Sequence, residues 1–167
     1  MQYKRTKESL NKFAKYVIQQ ARANLTRNNK NVSSDLYNSM GYELNTYPNS
    51  FSLEFYMLPY GEYIDKGVSG KKKKYDTIFS YSNKKPPADI LSKWAKDRRI
   101  RLRDEKGRYK KGTYKAIGFI LQRSIFEKGI KPSLFFTKPF EKAFINLPKE
   151  LIDGYNLDLD NFFDFTT

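Results

Sequence analysis

Apolar residues recur at spacings of three and four from Leu10 through Phe13, Ala14, Val17, Ile18 and Ala21 to Leu25. That single stripe predicts a long helix over about Thr6–Leu25, with Lys12, Lys15, Gln19, Arg22 and Arg27 off the stripe. Asn28–Ser34 is polar and turn-prone, and Ser34 is placed to cap a short helix, Asp35–Met40, that turns Leu36 and Met40 inward. Gly41–Thr46 and Phe51–Met57 read as a β-hairpin turned by Tyr47-Pro48-Asn49-Ser50. In its second strand Phe51, Leu53, Phe55 and Met57 alternate with Ser52, Glu54 and Tyr56, the pattern of one buried and one wet face. Tyr60–Gly67 is long enough for a single helical turn. Ser69–Lys74 is a Gly/Lys loop, and Tyr75–Ser82 is a strand candidate.

Pro86-Pro87 breaks the chain and sets the start of a helix, Ala88–Asp97, with Ile90, Leu91, Trp94 and Ala95 inward. Arg98–Lys111 is a basic hairpin-like loop turning at Asp104–Gly107. Gly112-Thr113 opens a helix that runs to about Glu127 on a stripe of Ala116, Ile117, Ile120, Leu121 and Ile125, and Gly129 ends it. Pro132–Phe136 is extended. Lys138–Leu147 is a further helix, with Phe140, Ala143 and Phe144 inward and Pro148 as its stop. No internal repeat is visible. The order specifies an α+β fold: a small antiparallel sheet with the long N-terminal helix packed on one face, plus additional helices. The chain is expected to be a single domain, 1–167, made of an α+β domain over 1–147 and an acidic, aromatic C-terminal tail over 148–167. Phe13, Val17, Ile18, Leu53, Phe55, Trp94, Ile117 and Leu121 are expected to be buried together.

Composition changes the picture in three ways. The 167 residues include no cysteine, so a disulfide framework and thiolate metal sites are excluded. They include no histidine either, which excludes Ser-His-Asp and Cys-His triads, histidine-based ribonuclease chemistry and ordinary zinc sites. The net charge is +14, concentrated between Lys66 and Lys131, whereas Glu150–Thr167 carries acids only. A basic centre points to a polyanion, most often nucleic acid; a solvated lysine-rich surface is the bland alternative. Met1–Leu10 has no apolar core of a signal peptide, and no stretch has the apolar length of a membrane span, so a soluble protein acting where it is made, or in a particle assembled there, is expected.

The candidate chemistry follows from the charges. Lys71, Lys72, Lys73 and Lys74 lack the Gly-x-x-x-x-Gly-Lys-Ser/Thr spacing of a phosphate loop, so a nucleotide site is rejected in favour of a basic loop touching phosphates, or a solvated one. Arg98, Arg99, Arg101, Arg103, Arg108, Lys110 and Lys111 form a second basic block, with Tyr109 and Tyr114 among them. Aromatic interleaving is what single-strand stacking platforms need, whereas a duplex needs only the charges. The two blocks are expected on one rim, facing DNA or the lumen of an assembly. Glu62 and Asp65 share a spacing of three, but no other group converges on them, so a structural corner is favoured over paired acids, with Tyr60 and Tyr63 at the surface. Tyr60, Tyr63, Phe162, Phe163 and Phe165 are candidate docking positions. The tail Asp158–Phe165 is expected to be loose in the free monomer and ordered against a neighbour; the alternative folds Phe162 and Phe165 back under the first helix.

Four segments carry a resemblance beyond these patterns. After the first helix comes Ser33-Ser34-Asp35-Leu36-Tyr37-Asn38-Ser39-Met40, then the hairpin, then Tyr60-Gly61-Glu62-Tyr63-Ile64-Asp65-Lys66-Gly67-Val68. A Pro-Pro helix with a Trp follows at Pro86–Trp94, and Gly129–Phe140 with Ala143 comes last. In order and spacing this resembles the tail-completion, or head–tail joining, proteins of tailed bacteriophages, of the lambda-like minor-tail type. Ser34 stands where that family has Gly, Asp65 where it has Glu, and Leu147–Thr167 has no counterpart in it. The resemblance implies a non-enzymatic virion component at the neck or tail, assembled in the host cytoplasm. It would multimerise into a ring only on the particle, with no active site, cofactor, metal, membrane or small-molecule substrate. The implied partners are further copies of itself, adjacent portal, connector or tail proteins, and packaged DNA in the channel faced by the basic loops. A free-standing, non-specific nucleic-acid-binding protein is the alternative, and a Mg²⁺-dependent carboxylate nuclease is the third reading.

Overall fold

The computed structural model describes residues 3–28, 30, 33–48 and 50–164, the side chains of 162–164 excepted. Among them lie helices α1 (Lys4–Arg27), α2 (Asp35–Ser39), α3 (Tyr60–Lys66), α4 (Ala88–Asp97), α5 (Tyr114–Lys128), α6 (Thr137–Phe144) and α7 (Leu147–Asp164). Strands β1 (Gly41–Tyr47) and β2 (Ser50–Tyr56) pair antiparallel, with Gly41 opposite Tyr56 and Tyr47 opposite Ser50. The fold is α+β, with the long N-terminal helix against the small sheet, as its periodicity predicts. No described helix is long and apolar enough to cross a membrane.

The chain divides into two compact units, Met1–Gly61 with Leu134–Thr167, and Glu62–Ser133, in place of the expected single domain with a tail. In the first unit the α1 stripe Leu10, Phe13, Val17 buries itself with Leu147 against Leu44, Phe51, Leu53, Phe55, Phe136 and Phe140. Edge-on ring pairs organise this core: Phe13 lies 5.6 Å from Phe140 and 6.1 Å from Phe55, and Phe55 lies 5.4 Å from Phe136. A two-stranded sheet is marginal alone, and this aromatic layer with α1 is what it packs on. The short helix α2 is held from its C-terminal side. Arg22 donates through Nε to the Tyr37 carbonyl at 3.1 Å and through Nη2 to the Met40 carbonyl at 2.9 Å. Ser34 makes no cap; it sits at φ 61° with its side chain unused, which corrects the expected capping role.

The largest departure is at the C-terminus. Pro148 does not stop a helix; it stands at the second position of α7, where a missing N–H costs nothing. The helix α7 packs on α1, so the expected loose tail is folded as far as it is described. Leu147, Leu151, Gly154 and Asp158 recur at helical spacing on its inner face. Gly154 matters there because a Cβ would sit 3.2–3.3 Å from the backbone of Arg5 and Thr6. One turn on, Asp158 is buried and accepts hydrogen bonds from Arg5 N–H (3.0 Å), Thr6 N–H (3.0 Å) and Thr6 Oγ1 (2.9 Å). The first turn of α1 has no capping side chain of its own and no acid, so Asp158 supplies both from the far end of the chain.

In the second unit α4 packs on α5. The approach is close because Gly118 has no side chain: a Cβ there would collide with Ser92 Oγ and lie 2.6 Å from the Ala88 carbonyl. Ala95 and Ile117 are buried, but Ile90 is 66 % and Trp94 40 % exposed, and Ile120 is likewise open, against the expected inward assignments; in the first unit Phe144 is half exposed while its ring packs on Phe13 and Phe140. Trp94, Ile117 and Leu121 therefore belong to a different unit from Phe13, Val17, Ile18, Leu53 and Phe55 and are not part of one core with them. Tyr75–Ser82 forms no strand. Only Ser69 bridges Ser80, and the ladder ends because the chain turns into the lysine run at Gly70.

Candidate nucleic-acid interface

Charge follows the division into units. Glu62–Ser133 holds 21 Lys and Arg against 8 Asp and Glu, net +13, while the remainder holds 11 against 10, net +1. Both candidate basic blocks lie in the first of these, on the two loops that bound α5.

At the N-terminal end of α5, Arg98–Lys111 folds as the hairpin its turn residues predict. Arg103 bridges Tyr109, Gly107 N–H donates to the Asp104 carbonyl at 2.9 Å, and Lys110 N–H to the Leu102 carbonyl at 2.9 Å. The structure sorts the cations on it. Arg103 donates to the Gly107 carbonyl (2.9 Å) and the Tyr109 hydroxyl (3.2 Å), with its guanidinium 4.5 Å from the Tyr109 ring. Arg108 donates through N–H and Nε to both oxygens of Asp104 at 2.8 and 3.0 Å. These two hold the hairpin together. Arg101 lies 5.4 Å over the same exposed Tyr109 ring, and Arg98 lies 5.8 Å over Trp94. Arg99 is exposed in a left-handed conformation, φ 52°.

Arg101, Lys110 and Lys111 line a groove of about 590 Å³ floored by Ile100, Leu102 and Ile117. Thr113 and Tyr114, which open α5, complete it; Thr113 Oγ1 accepts from Ala116 N–H at 3.2 Å. The helix N-terminus adds positive partial charge to the three cations, so this end of the unit attracts an anion.

At the C-terminal end of α5 the lysine run has a structural task that spacing alone did not reveal. Lys71 N–H donates to the Phe126 carbonyl at 2.9 Å, and Lys72 and Lys73 N–H donate to the Glu127 carbonyl at 2.8 and 3.3 Å. These bonds satisfy the helix's last carbonyls. Lys72 Nζ meets Glu127 Oε2 at 2.9 Å, and that hydrogen bond holds the Glu127 carboxyl below its ordinary value. The four lysine side chains are exposed, and Lys73 leans over Tyr75 at 5.4 Å. The two blocks thus sit at opposite ends of α5, about 22 Å apart for its 15 residues, rather than on one rim. Lys115 and Arg123, which the sequence reading left out, lie exposed on the helix between them.

The remaining candidates are dispersed. Glu62 is exposed and paired with Lys66 at 2.8 Å, whereas Asp65 is buried, so the two carboxylates do not share an environment. Among the described residues no group of three or more carboxylates gathers to hold a metal. Tyr60 and Tyr63 are both part-exposed. Burial, reinforced by the Asp35 carboxylate, raises the Tyr60 hydroxyl above its ordinary pKa despite a backbone hydrogen bond at Leu36, and Tyr63 packs edge-on against Phe79 at 4.7 Å. Phe162 and Phe163 are in α7 by backbone, but their side chains, and Phe165 altogether, lie outside the described residues. No family model, curated protein or solved structure matches the chain.

Proposed function

We propose that this chain is a non-enzymatic structural component of a tailed bacteriophage particle, a ring-forming tail-completion or head–tail connector protein whose basic unit faces nucleic acid. The observation that carries the reading is the segregation of charge, net +13 on one compact unit and +1 on the other. One unit supplies a packed scaffold and the other a polyanion surface. The two cation clusters, about 22 Å apart along α5, span about six base pairs of B-form duplex at 3.4 Å per step. Contacts of this kind are to phosphates, so binding is indifferent to sequence and steeply dependent on salt. The virion assignment draws on the ordered resemblance from Leu10 to Phe144.

The same charge segregation favours a second reading, a free-standing non-specific nucleic-acid-binding protein. Both are tested with the full chain and a labelled duplex, read by fluorescence anisotropy across a salt series. Replacing Arg101, Lys110 and Lys111 with Glu is expected to weaken binding at least tenfold and to reduce the salt slope by about 3. Binding that ignores salt, or a variant that binds like the wild type, overturns the polyanion surface. Electron cryo-microscopy of the parent particle then separates the two readings: the chain in a ring at the neck supports the structural role, and its absence from the particle leaves the free-standing one.

A further inference from the structure

Two helix faces are left uncovered, and they match. The inner face of α7 is taken up by α1, through Leu147, Leu151, Gly154 and Asp158. Away from that face Ile152 and Leu157 are each more than half exposed, on the two flanks of an outer surface that carries Asp153 and Asp160 between them. After Lys149 the chain has no basic residue. The second face is on α5. Ile117, Gly118, Leu121 and Ile125 occupy the side turned to α4, yet Phe119 and Ile120 are also more than half exposed, between Lys115 and Arg123. A helix apolar on both sides is built for partners on both sides, and α4 is only one.

The complementarity is in sign and in spacing. Asp153 and Asp160 are seven residues apart, about 10.5 Å along α7 at 1.5 Å per residue. Lys115 and Arg123 are eight apart, about 12 Å along α5. On α5 the cations bracket Phe119 and Ile120 in sequence; on α7 the acids bracket Leu157, with Ile152 one residue outside the pair. Arg123 reaches Glu127 only at 3.5 Å and is highly exposed, so its guanidinium keeps donors for another carboxylate.

We propose that the outer face of α7 in one copy docks on the outer face of α5 in a second copy. Leu157 packs against Phe119 and Ile120, Ile152 sits at the edge of the contact, and Asp153 and Asp160 stand opposite Lys115 and Arg123. The two faces differ, so the contact is heterologous: each bound copy keeps one free α7 and one free α5, and the association repeats from copy to copy. This deepens the assembly role proposed above and rests on it for its purpose, although the contact itself requires no DNA. A face of two or three helical turns falls below the roughly 1,200 Å² of a stable interface, so the association is weak and reversible in solution. Its flanking charges make it weaken as salt rises.

The test is sedimentation velocity of the full chain without nucleic acid, over a concentration series at low and moderate salt. Two double variants are compared, Asp153→Lys/Asp160→Lys and Lys115→Glu/Arg123→Glu. The wild type is expected to gain mass with concentration and lose it with salt. Each variant alone should associate at least tenfold more weakly, and an equimolar mixture of the two should recover association, because the reversed faces now complement each other. All four positions are exposed, and circular dichroism melting checks that the variants fold. Should either misfold, Leu157→Ser and Phe119→Ser test the same faces without changing charge, each expected to weaken association. A wild type that stays monomeric throughout, folded variants that associate normally, or a mixture that fails to recover would overturn the docking. None of these readouts involves DNA, so that failure leaves the polyanion surface standing. Loss of DNA binding with self-association intact has the converse meaning.

Discussion

Eleven of the buried apolar side chains among the described residues belong to the unit made of Met1–Gly61 and Leu134–Thr167, from Leu10 to Leu147; the unit Glu62–Ser133 has three, Val68, Ala95 and Ile117. The charge runs the other way, +1 against +13. The first unit is held by apolar area and ring-on-ring contacts, whose free energy does not depend on ionic conditions to first order. The second is held by one close helix pair through Gly118 and by loops whose backbone amides close the end of α5, while its surface charges repel one another. The difference teaches where a polyanion has leverage. A ligand that neutralises the basic unit removes its main internal penalty, so binding there also stabilises folding there.

The sharpest way to break this contrast is to truncate one aromatic in each unit. Phe13 is buried, with Phe55, Phe140 and Phe144 rings around it at 5.6–6.5 Å. Phe13→Ala is expected to cost about 3–5 kcal/mol in urea unfolding. Trp94 is 40 % exposed, with Arg98 over its ring, and Trp94→Ala is expected to cost about 1 kcal/mol or less. Equal losses would mean that the basic unit has a core of the same quality.

The parts legible from sequence were those in which one periodic stripe meets one partner. The α1 stripe buries Leu10 to Leu25 as its spacing predicts, the hairpin pairs as expected, and α4 is found at Ala88–Asp97. The α5 boundaries follow from Thr113, which caps it, and Gly129, which ends it at φ 74°. What failed did so for physical reasons. The helix α7 was hidden because its inner face is Leu147, Leu151, Gly154 and Asp158: a glycine and a carboxylate break the apolar signature, and their role depends on the N-terminus of a helix about 150 residues away in sequence. Ile90 and Ile120 fit helical stripes yet point outward, because periodicity finds a face without saying whether anything covers it. Of the candidate basic residues, spacing could not separate Arg103 and Arg108, spent inside their hairpin, from Arg101, Lys110 and Lys111, which line the groove.

Asp158 gives the next largest effect and sharpens the contrast at the seam between α1 and α7. Replacing it with Ala strands two N–H groups and a hydroxyl and is expected to cost about 2–3 kcal/mol. A truncation after Leu157 should lower the thermal midpoint for the same reason, the reverse of what a loose tail implies. Burial alone would raise the Asp158 carboxyl, but the hydrogen bonds from Thr6, Arg5 and Lys4 outweigh it and hold the group below its ordinary value. A depressed folded pKa means that the stabilisation is complete above the unfolded value near 3.9 and is lost as pH falls through the lower folded value. Wild type should therefore lose stability below about pH 4 more steeply than Asp158→Asn, which keeps an acceptor but does not titrate. Parallel acid-unfolding curves for the two proteins would remove Asp158 from this role.

The smallest expected effect addresses the charge itself. With +13 on 72 residues, the basic unit should tighten when its self-repulsion is screened, and the near-neutral unit should not. Native-state hydrogen exchange resolves the two units separately, because α4 and α5 amides report one and α1 amides the other. Raising salt from low to moderate concentration is expected to increase protection in α5 by about fivefold, on the order of 1 kcal/mol, and to leave α1 within error. Two contributions oppose each other here: salt also screens the Lys72–Glu127 pair and the lysine run at the C-terminal end of α5, both of which favour the folded helix. The repulsive contribution should win, since 21 cations face only 8 anions across the unit. The pairs that would be lost are exposed to solvent, which leaves each of them weak. A fall in α5 protection with salt would show that local pairing outweighs global repulsion. An equal rise in α1 would show a general salting effect that says nothing about charge. A rise confined to Glu62–Ser133, larger still with a short duplex than with simple salt, would tie the charge asymmetry to the polyanion surface.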